Sequence, residues 1–435
     1  MAASKPSPIT EKLSRVSPKV FSAYCIVAAF TTYFCMYGFR KPFTAGTYEG
    51  TVLLGVGYKT ILVAAQVFGY TISKFIGIKV VSEMSAHRRA ISILILIGIA
   101  EAALLLFAIT PPPYNFIWLF VNGLPLGMVF GLVLGFLEGR RVTEALAAGL
   151  CASFIVSSGV VKSVGRYLIE WGVSEYWMPF LTGLVFVVPL LIAVWLLEQI
   201  PHPCEEDVAH RSRREPMRRP ERIAFFKRHA VGLTALLGIY VLLTVMRSIR
   251  DDFAVEIWRD LGEDGKPAIF AQSELLVMLG VVVITGAAIY IRSNRRAFLS
   301  SLGLVCFGAG MVLLAIYGHW DGWLEPFPFM VLLGFGMYVP YVVFHTMVFE
   351  RMLAAFREIG TIGYLMYLAD ALGYLGYVAI MVLRQWISED VNFLNLMIGS
   401  GLIISVVALA ISLFLVIYYS RHLPADRPAG DPPTV

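Results

Sequence analysis

Long unbroken apolar blocks constrain the fold of this chain more than any other feature. Twelve blocks of about 20 residues follow one another, and about 20 apolar residues is the length that an α-helix needs to cross a bilayer. Only 15% of the residues are charged, whereas a soluble domain carries roughly 25%. Such a chain cannot cover its surface for water, so we predict an all-α membrane protein.

The blocks form two sets of six, separated by the longest polar segment of the chain. The first set is predicted at 20–43, 58–81, 89–110, 115–137, 145–169 and 177–198. The second set is predicted at 230–257, 270–291, 297–318, 328–349, 359–384 and 392–419. We therefore predict two pseudo-symmetric six-helix bundles, 20–200 and 230–420, with an N-terminal segment 1–19, a basic linker 201–229 and a tail 421–435.

Lys and Arg are concentrated in alternate loops. One side of the membrane receives both termini and the basic linker, while the loops of the other side carry mainly Asp and Glu. Cytoplasmic loops are enriched in Lys and Arg, so this pattern indicates both termini in the cytoplasm and a multi-pass plasma (inner) membrane protein. The net charge of +5 is explained by these loops beside anionic lipid, and we expect no nucleic-acid partner.

Short charged sequences recur at a nearly constant spacing. Phe39-Arg40-Lys41-Pro42-Phe43 is followed 210 residues later by Ile249-Arg250-Asp251-Asp252-Phe253. A second pair, around Glu138 and Glu350, is 212 residues apart. Such a repeat is typical of two related bundles that bind substrate between them near the midplane, and it aligns Arg40 with Arg250.

Charged residues inside the spans mark the predicted binding region. Each costs roughly 2.5–3.5 kcal/mol to insert, so it normally faces a cavity or a partner. We count six cations against two anions, which leaves an excess of four positive charges that a substrate anion would neutralise. The cations are Arg40, Lys41, Lys74, Lys162, Arg247 and Arg250, and the anions are Glu101 and Asp370.

Helical spacing places several of these charges beside tyrosines on one face of a helix. The candidate substrate-binding residues are Arg40, Lys74, Arg247, Arg250, Tyr37, Lys162 and Tyr70. Arg40 and Lys41 have an alternative, because both lie near the end of their helix and can extend to the headgroups. Asp370, Glu101 and His345 are candidates for proton coupling or for charge pairing.

Four segments resemble the organophosphate/phosphate antiporters of the major facilitator superfamily. They are Tyr37-Gly38-Phe39-Arg40-Lys41-Pro42-Phe43, Gly69-Tyr70-Thr71-Ile72-Ser73-Lys74-Phe75, Val81–Arg89 and Val245-Met246-Arg247 with Asp252. The resemblance implies Arg40 and Arg247 as phosphate ligands and Lys74 as a supporting cation. It also implies a gate loop containing Glu83 and Arg88, although Glu83 and Met84 replace the usual aspartate and arginine.

The sequence thus predicts a secondary transporter of a small phosphorylated or carboxylated anion. It would move the anion by alternating access, either in exchange for phosphate or coupled to protons. The alternative is a ligand sensor of the same fold that does not transport. Neither HExxH, nor a nucleophile elbow, nor a metal cluster occurs, so we expect no enzyme activity, no cofactor and no metal. The expected partners are the solute and the lipid bilayer, with the protein as a monomer.

Overall fold

Twelve long helices dominate the structure, a computed structural model that describes residues 7–84, 86–137, 143–201, 219–263, 266–288, 291, 293–356, 362–384 and 392–423. The first six are α1 (Pro18–Arg40), α2 (Tyr58–Glu83), α3 (Ala86–Ile109), α4 (Phe116–Leu137), α5 (Thr143–Glu170) and α6 (Met178–Glu198). The other six are α7 (Ala230–Asp252), α8 (Ala268–Ala288), α9 (Asn294–Trp320), α10 (Pro326–Phe356), α11 (Ile362–Arg384) and α12 (Phe393–His422).

The prediction of twelve membrane-spanning helices is confirmed, since all twelve are long and apolar enough to cross a membrane. The predicted seventh span, 230–257, is too long. The helix ends at Asp252, and a separate short helix, Ala254–Asp260, follows it. The interior of the predicted linker, 202–218, and the end of the tail, 424–435, lie outside the described residues.

Short elements connect the long helices. Pro8–Leu13 is a helix that precedes α1, and its Thr10 hydroxyl donates to the Gln199 carbonyl at 3.1 Å, just beyond α6. Between α1 and α2 lie a 3₁₀ turn and a small antiparallel hairpin, Pro42–Ala45, Val52–Leu53 and Val56–Gly57. Another short helix, Arg219–Arg228, leads into α7.

Residues at the helix starts explain where several spans begin. Pro18 and Pro326 stand in the first turns of α1 and α10, where proline has no hydrogen bond to lose. The Ser293 side chain caps α9 by accepting from the Arg296 amide, and Asn392 caps α12 in the same way.

Two glycines allow α2 and α4 to lie against each other. A Cβ on Gly69 would be 2.2 Å from the Phe120 carbonyl oxygen, and one on Gly123 would be 2.2 Å from the Gln66 carbonyl oxygen. No side chain fits at either position, so the small residues permit a close backbone approach.

The two bundles meet where α5 packs on α8 and α2 packs on α11. The gap between them contains the charged residues of α1, α2, α7 and α11. We call the membrane side on which α1 and α7 end the distal side, because it lies opposite the N terminus. Which side faces the cytoplasm stays a prediction.

Candidate functional site

A narrow cavity of about 10 Å³, room for about one water molecule, lies between the two bundles. Its walls are almost entirely aromatic or charged, and both bundles contribute to them. The lining residues are Tyr33, Tyr37, Tyr70, Lys74, Phe130, Phe154, Arg247, Tyr341, His345, Asp370 and Tyr374. The cavity is therefore polar and cationic at a depth where lipid surrounds the outside of the protein.

Arg40 lies behind one wall of this cavity. Although it is the last residue of α1, its side chain is only 2% exposed. Its guanidinium lies over Tyr70, 3.8 Å from the ring centre, and Tyr70 is twelve residues into α2. Helical side chains lean toward the helix N-terminus, so Arg40 reaches back toward mid-depth. The alternative in which it extends to the headgroups does not occur.

Arg247 of α7 lines the cavity from the second bundle. It is 4% exposed, and its Nη2 donates to the Tyr374 hydroxyl at 3.1 Å. Its guanidinium also lies over Tyr341, 4.5 Å from the ring centre, a favourable position for a cation. The contacts of Arg247 thus come from phenol rings rather than from carboxylates.

A second polar group lines the cavity around Asp370. Lys74 donates to its Oδ2 at 2.8 Å, across the boundary between α2 and α11. Tyr240 donates to the other carboxylate oxygen. His345 Nε2 lies 3.8 Å from that oxygen, within a π-helical turn of α10 that spans Phe344–Val348. This carboxylate is held between both bundles by donors that stabilise its ionised form.

A layer of ion pairs closes the distal side of the gap. In this distal charge layer, Lys41 contacts Asp252 and lies 2.7 Å from Asp251. Lys162 lies 2.5 Å from Asp251, and Ser158 also donates to Asp251. All of the cations belong to the first bundle and both carboxylates to the second. The layer therefore ties one bundle to the other.

One more buried pair and one exposed pair extend the layer outward. Lys59 lies 2.6 Å from Glu256, and Arg259 lies 2.5 Å from Glu49 near the surface. The hydrogen bond to Glu49 raises the pKa of the Arg259 guanidinium. With Lys59 and Glu256 included, the distal charge layer contains three cations and three carboxylates.

The predicted excess of four positive charges is wrong. Lys41 and Lys162 bind the carboxylates of α7, Lys74 binds Asp370, and Arg250 lies 2.5 Å from Glu274 of α8. The count of intramembrane charges made from the sequence left out carboxylates that lie near helix ends. Lys41 is also buried rather than extended to the headgroups. Arg40 and Arg247 are both buried, and no carboxylate among the described residues forms an ion pair with either of them.

The remaining predicted residues lie apart from the cavity. Lys162 belongs to the distal charge layer, and Arg250 donates to Glu274 and to the Met330 carbonyl. Glu101 of α3 faces Gly183 of α6, and its two oxygens have no hydrogen-bond partner among the described residues.

The predicted gate loop is described only in part. Arg88 is exposed, while the Glu83 side chain lies outside the described residues. The neighbouring Arg89 donates to the Gly135 carbonyl at 2.5 Å and so joins the start of α3 to α4.

Several lining residues were missed from the sequence. Tyr341 precedes His345 by four residues and follows Tyr338 by three, a spacing that places all three on one helix face and would have indicated them. Lys59 of the distal charge layer was also missed, although it lies seven residues before Gln66 on the polar stripe of α2. Phe130 and Phe154 carry no comparable signal, because they resemble any lipid-facing phenylalanine.

The two arginines have unused hydrogen-bond donors. Their Nε atoms are buried and lack a hydrogen-bond partner within the described ranges. Arginine grips phosphate or carboxylate with two parallel hydrogen bonds, which are stronger than those to phenol oxygens. Arg40 belongs to α1 in the first bundle and Arg247 to α7 in the second.

Comparisons with known proteins agree with this architecture. The sequence matches the Family of unknown function (DUF5690) over residues 42–422, and no curated protein matches it. A crystal structure of a D-xylose-proton symporter is similar at a TM-score of 0.56 and 14% identity, covering 93% of this chain and 98% of that one. The predicted major facilitator fold is thereby confirmed. The organophosphate branch stays a prediction, because an identity this low carries the fold alone.

Proposed function

This chain belongs to the Family of unknown function (DUF5690) and is a multi-pass membrane protein with the major facilitator fold, and on this premise we propose that it transports a small organic anion. The two bundles would rock about the central cavity and expose it to each side of the membrane in turn. In keeping with the distribution of Lys and Arg, we place both termini in the cytoplasm and the protein in the plasma (inner) membrane.

One observation carries the proposal: Arg40 and Arg247 are buried between the bundles without a carboxylate partner among the described residues. A buried charge without a counter-charge is costly, and several kcal/mol of desolvation must be offset. Aromatic rings offset part of this cost. An anion that enters the cavity would offset more of it, so the site favours a negatively charged ligand.

The charge of the cavity defines the ligand further. Lys74 and Asp370 neutralise each other, which leaves a formal charge of two from the arginines. A ligand with two negative charges balances that charge, as a phosphate monoester or a dicarboxylate does. The aromatic walls would then contact the rest of the molecule.

For coupling, exchange fits the geometry better than proton transfer through Asp370. Lys74 and Tyr240 both donate to this carboxylate, and such donors favour its ionised form over the protonated one. We therefore propose exchange of the organic anion for another anion, such as phosphate.

A thermal-shift comparison tests the class of ligand. We expect inorganic phosphate, glycerol 3-phosphate or succinate to raise the midpoint of thermal unfolding of the purified protein. A ligand at a hundredfold its Kd adds about 2.7 kcal/mol to the free energy of unfolding. D-xylose is the matched neutral control and should leave the midpoint unchanged. Stabilisation by D-xylose with no response to the three anions would exclude the proposed function.

A further inference from the structure

Tyr374 lies between the two arginines on which the proposed site rests. Arg247 Nη2 donates to its hydroxyl at 3.1 Å, and the Arg40 guanidinium carbon is 5.5 Å from the centre of its ring. The ring packs edge-on against Tyr70, with the ring centroids 5.0 Å apart. The Arg40 guanidinium lies over the Tyr70 ring, 3.8 Å from its centre. These contacts form a chain from Arg247 through Tyr374 and Tyr70 to Arg40.

The chain crosses from one bundle to the other at the contact between Tyr374 and Tyr70. Tyr374 belongs to α11 and Tyr70 to α2. Both rings are buried, at 4% and 2% exposure, and both line the cavity. In the structure, therefore, two packed phenol rings lie between the two cations that an anion would otherwise connect.

We propose that the Tyr374 hydroxyl is an internal substitute for the transported anion. It accepts from Arg247 when the site is empty, and its ring contributes to the aromatic surroundings of Arg40. An entering anion makes stronger, charge-assisted hydrogen bonds and displaces the hydroxyl from Arg247. This inference rests on the proposed function, since it requires an anion at Arg40 and Arg247.

The empty protein also needs a partner for these two cations. To return without cargo, the protein must keep both guanidiniums buried while its bundles rearrange, and uncompensated buried charges oppose this. Tyr374 supplies an acceptor that moves with Arg247, because both lie in the second bundle. The protein can then return empty, so net transport accompanies exchange.

Tyr374→Phe tests this role, because it keeps the ring and removes the acceptor. Proteoliposomes loaded with radiolabelled phosphate are diluted into buffer with phosphate, which measures exchange, or without it, which measures net efflux. We expect the ratio of exchange to net efflux to rise about tenfold, and the Kd for phosphate to fall about tenfold. A tenfold change is what the loss of one hydrogen bond to a charged group produces.

Tyr317→Phe is the control, since Tyr317 lies on α9, is 59% exposed and does not line the cavity. It should keep the wild-type ratio and Kd. Tyr374→His, which restores an acceptor on an aromatic ring, should recover net efflux. Monodisperse elution of each purified variant verifies that it is folded.

Three results would overturn the role of Tyr374. They are an unchanged ratio in Tyr374→Phe, a weaker affinity for phosphate in that variant, and a wild-type protein without any net efflux. If exchange is nevertheless lost in Arg40→Lys, the proposed function survives and this inference alone fails. If the wild-type protein neither binds nor exchanges phosphate, glycerol 3-phosphate or succinate, both fail.

Discussion

Replacing Arg40 or Arg247 by lysine should lower anion exchange in proteoliposomes at least about a hundredfold. Lysine keeps the charge but loses the planar fork, so the variant forfeits paired hydrogen bonds to the anion. Each bond to a charged group contributes about 1.5–3 kcal/mol, and 1.4 kcal/mol corresponds to tenfold in affinity. The measurement is uptake of radiolabelled phosphate or glycerol 3-phosphate against the same internal anion.

Arg259→Lys is the matched control for both arginine variants. Arg259 pairs with Glu49, and their side chains are 44% and 67% exposed. Exposed pairs contribute little, so exchange by this variant should equal that of the wild-type protein. Wild-type rates in both Arg40→Lys and Arg247→Lys would remove the proposed site.

Asp251→Ala should open the distal side of the gap. Asp251 binds both Lys41 and Lys162, and removing one partner of a buried pair costs about 3–5 kcal/mol when the other charge stays buried. The pairs join separate bundles, so the lysines can avoid that cost if the bundles part and water reaches them. Such an energy corresponds to at least a hundredfold change in the ratio of closed to open protein.

A cysteine at Ser163 reports this opening. Ser163 is 5% exposed, and its hydroxyl accepts from the Ala271 amide of the other bundle at 3.1 Å. After replacement of the five native cysteines, Ser163→Cys should react with a water-soluble maleimide at least about tenfold faster when Asp251→Ala is also present.

The matched control for this opening is Lys266→Ala, which breaks an exposed pair with Glu263. It should leave the rate of labelling at Ser163→Cys unchanged. Equal rates with and without Asp251→Ala, together with a lower unfolding temperature, would show that the distal charge layer only stabilises the fold.

The sequence was sufficient for the fold because the signal for each span is local. A helix such as α4, Phe116–Leu137, is recognised from its own apolar residues, whatever lies beside it. The even division around the polar segment then indicated two bundles. The error at the end of α7 arose because Ala254–Asp260 continues the helical pattern after a break at Phe253.

The partners of the charges could not be predicted in the same way. Lys74 and Asp370 are 296 residues apart, and Lys41 meets Asp252 across 211 residues. Helical spacing shows which residues share a face, but not which face of another helix lies opposite. The count of charges therefore failed, while the polar stripes that contain Arg40 and Lys74 were found.

The sequence also could not decide between Arg247 and Arg250 as the partner of Arg40. The internal repeat aligned Arg40 with Arg250, because the two motifs share their neighbours in sequence. In the structure Arg250 points to Glu274 of α8, whereas Arg247 reaches Tyr374. Glu274 has no counterpart in the repeat that we identified, so only the three-dimensional arrangement separates the two arginines.

Anomalous diffraction from crystals soaked in tungstate shows directly whether an anion binds between the two arginines. Tungstate is a tetrahedral anion with two negative charges, and its metal scatters strongly enough to be located. The proposed site predicts a peak between the guanidinium groups of Arg40 and Arg247, within hydrogen-bonding distance of both. Peaks confined to the outer loops, with none between these two arginines at saturating tungstate, would contradict it.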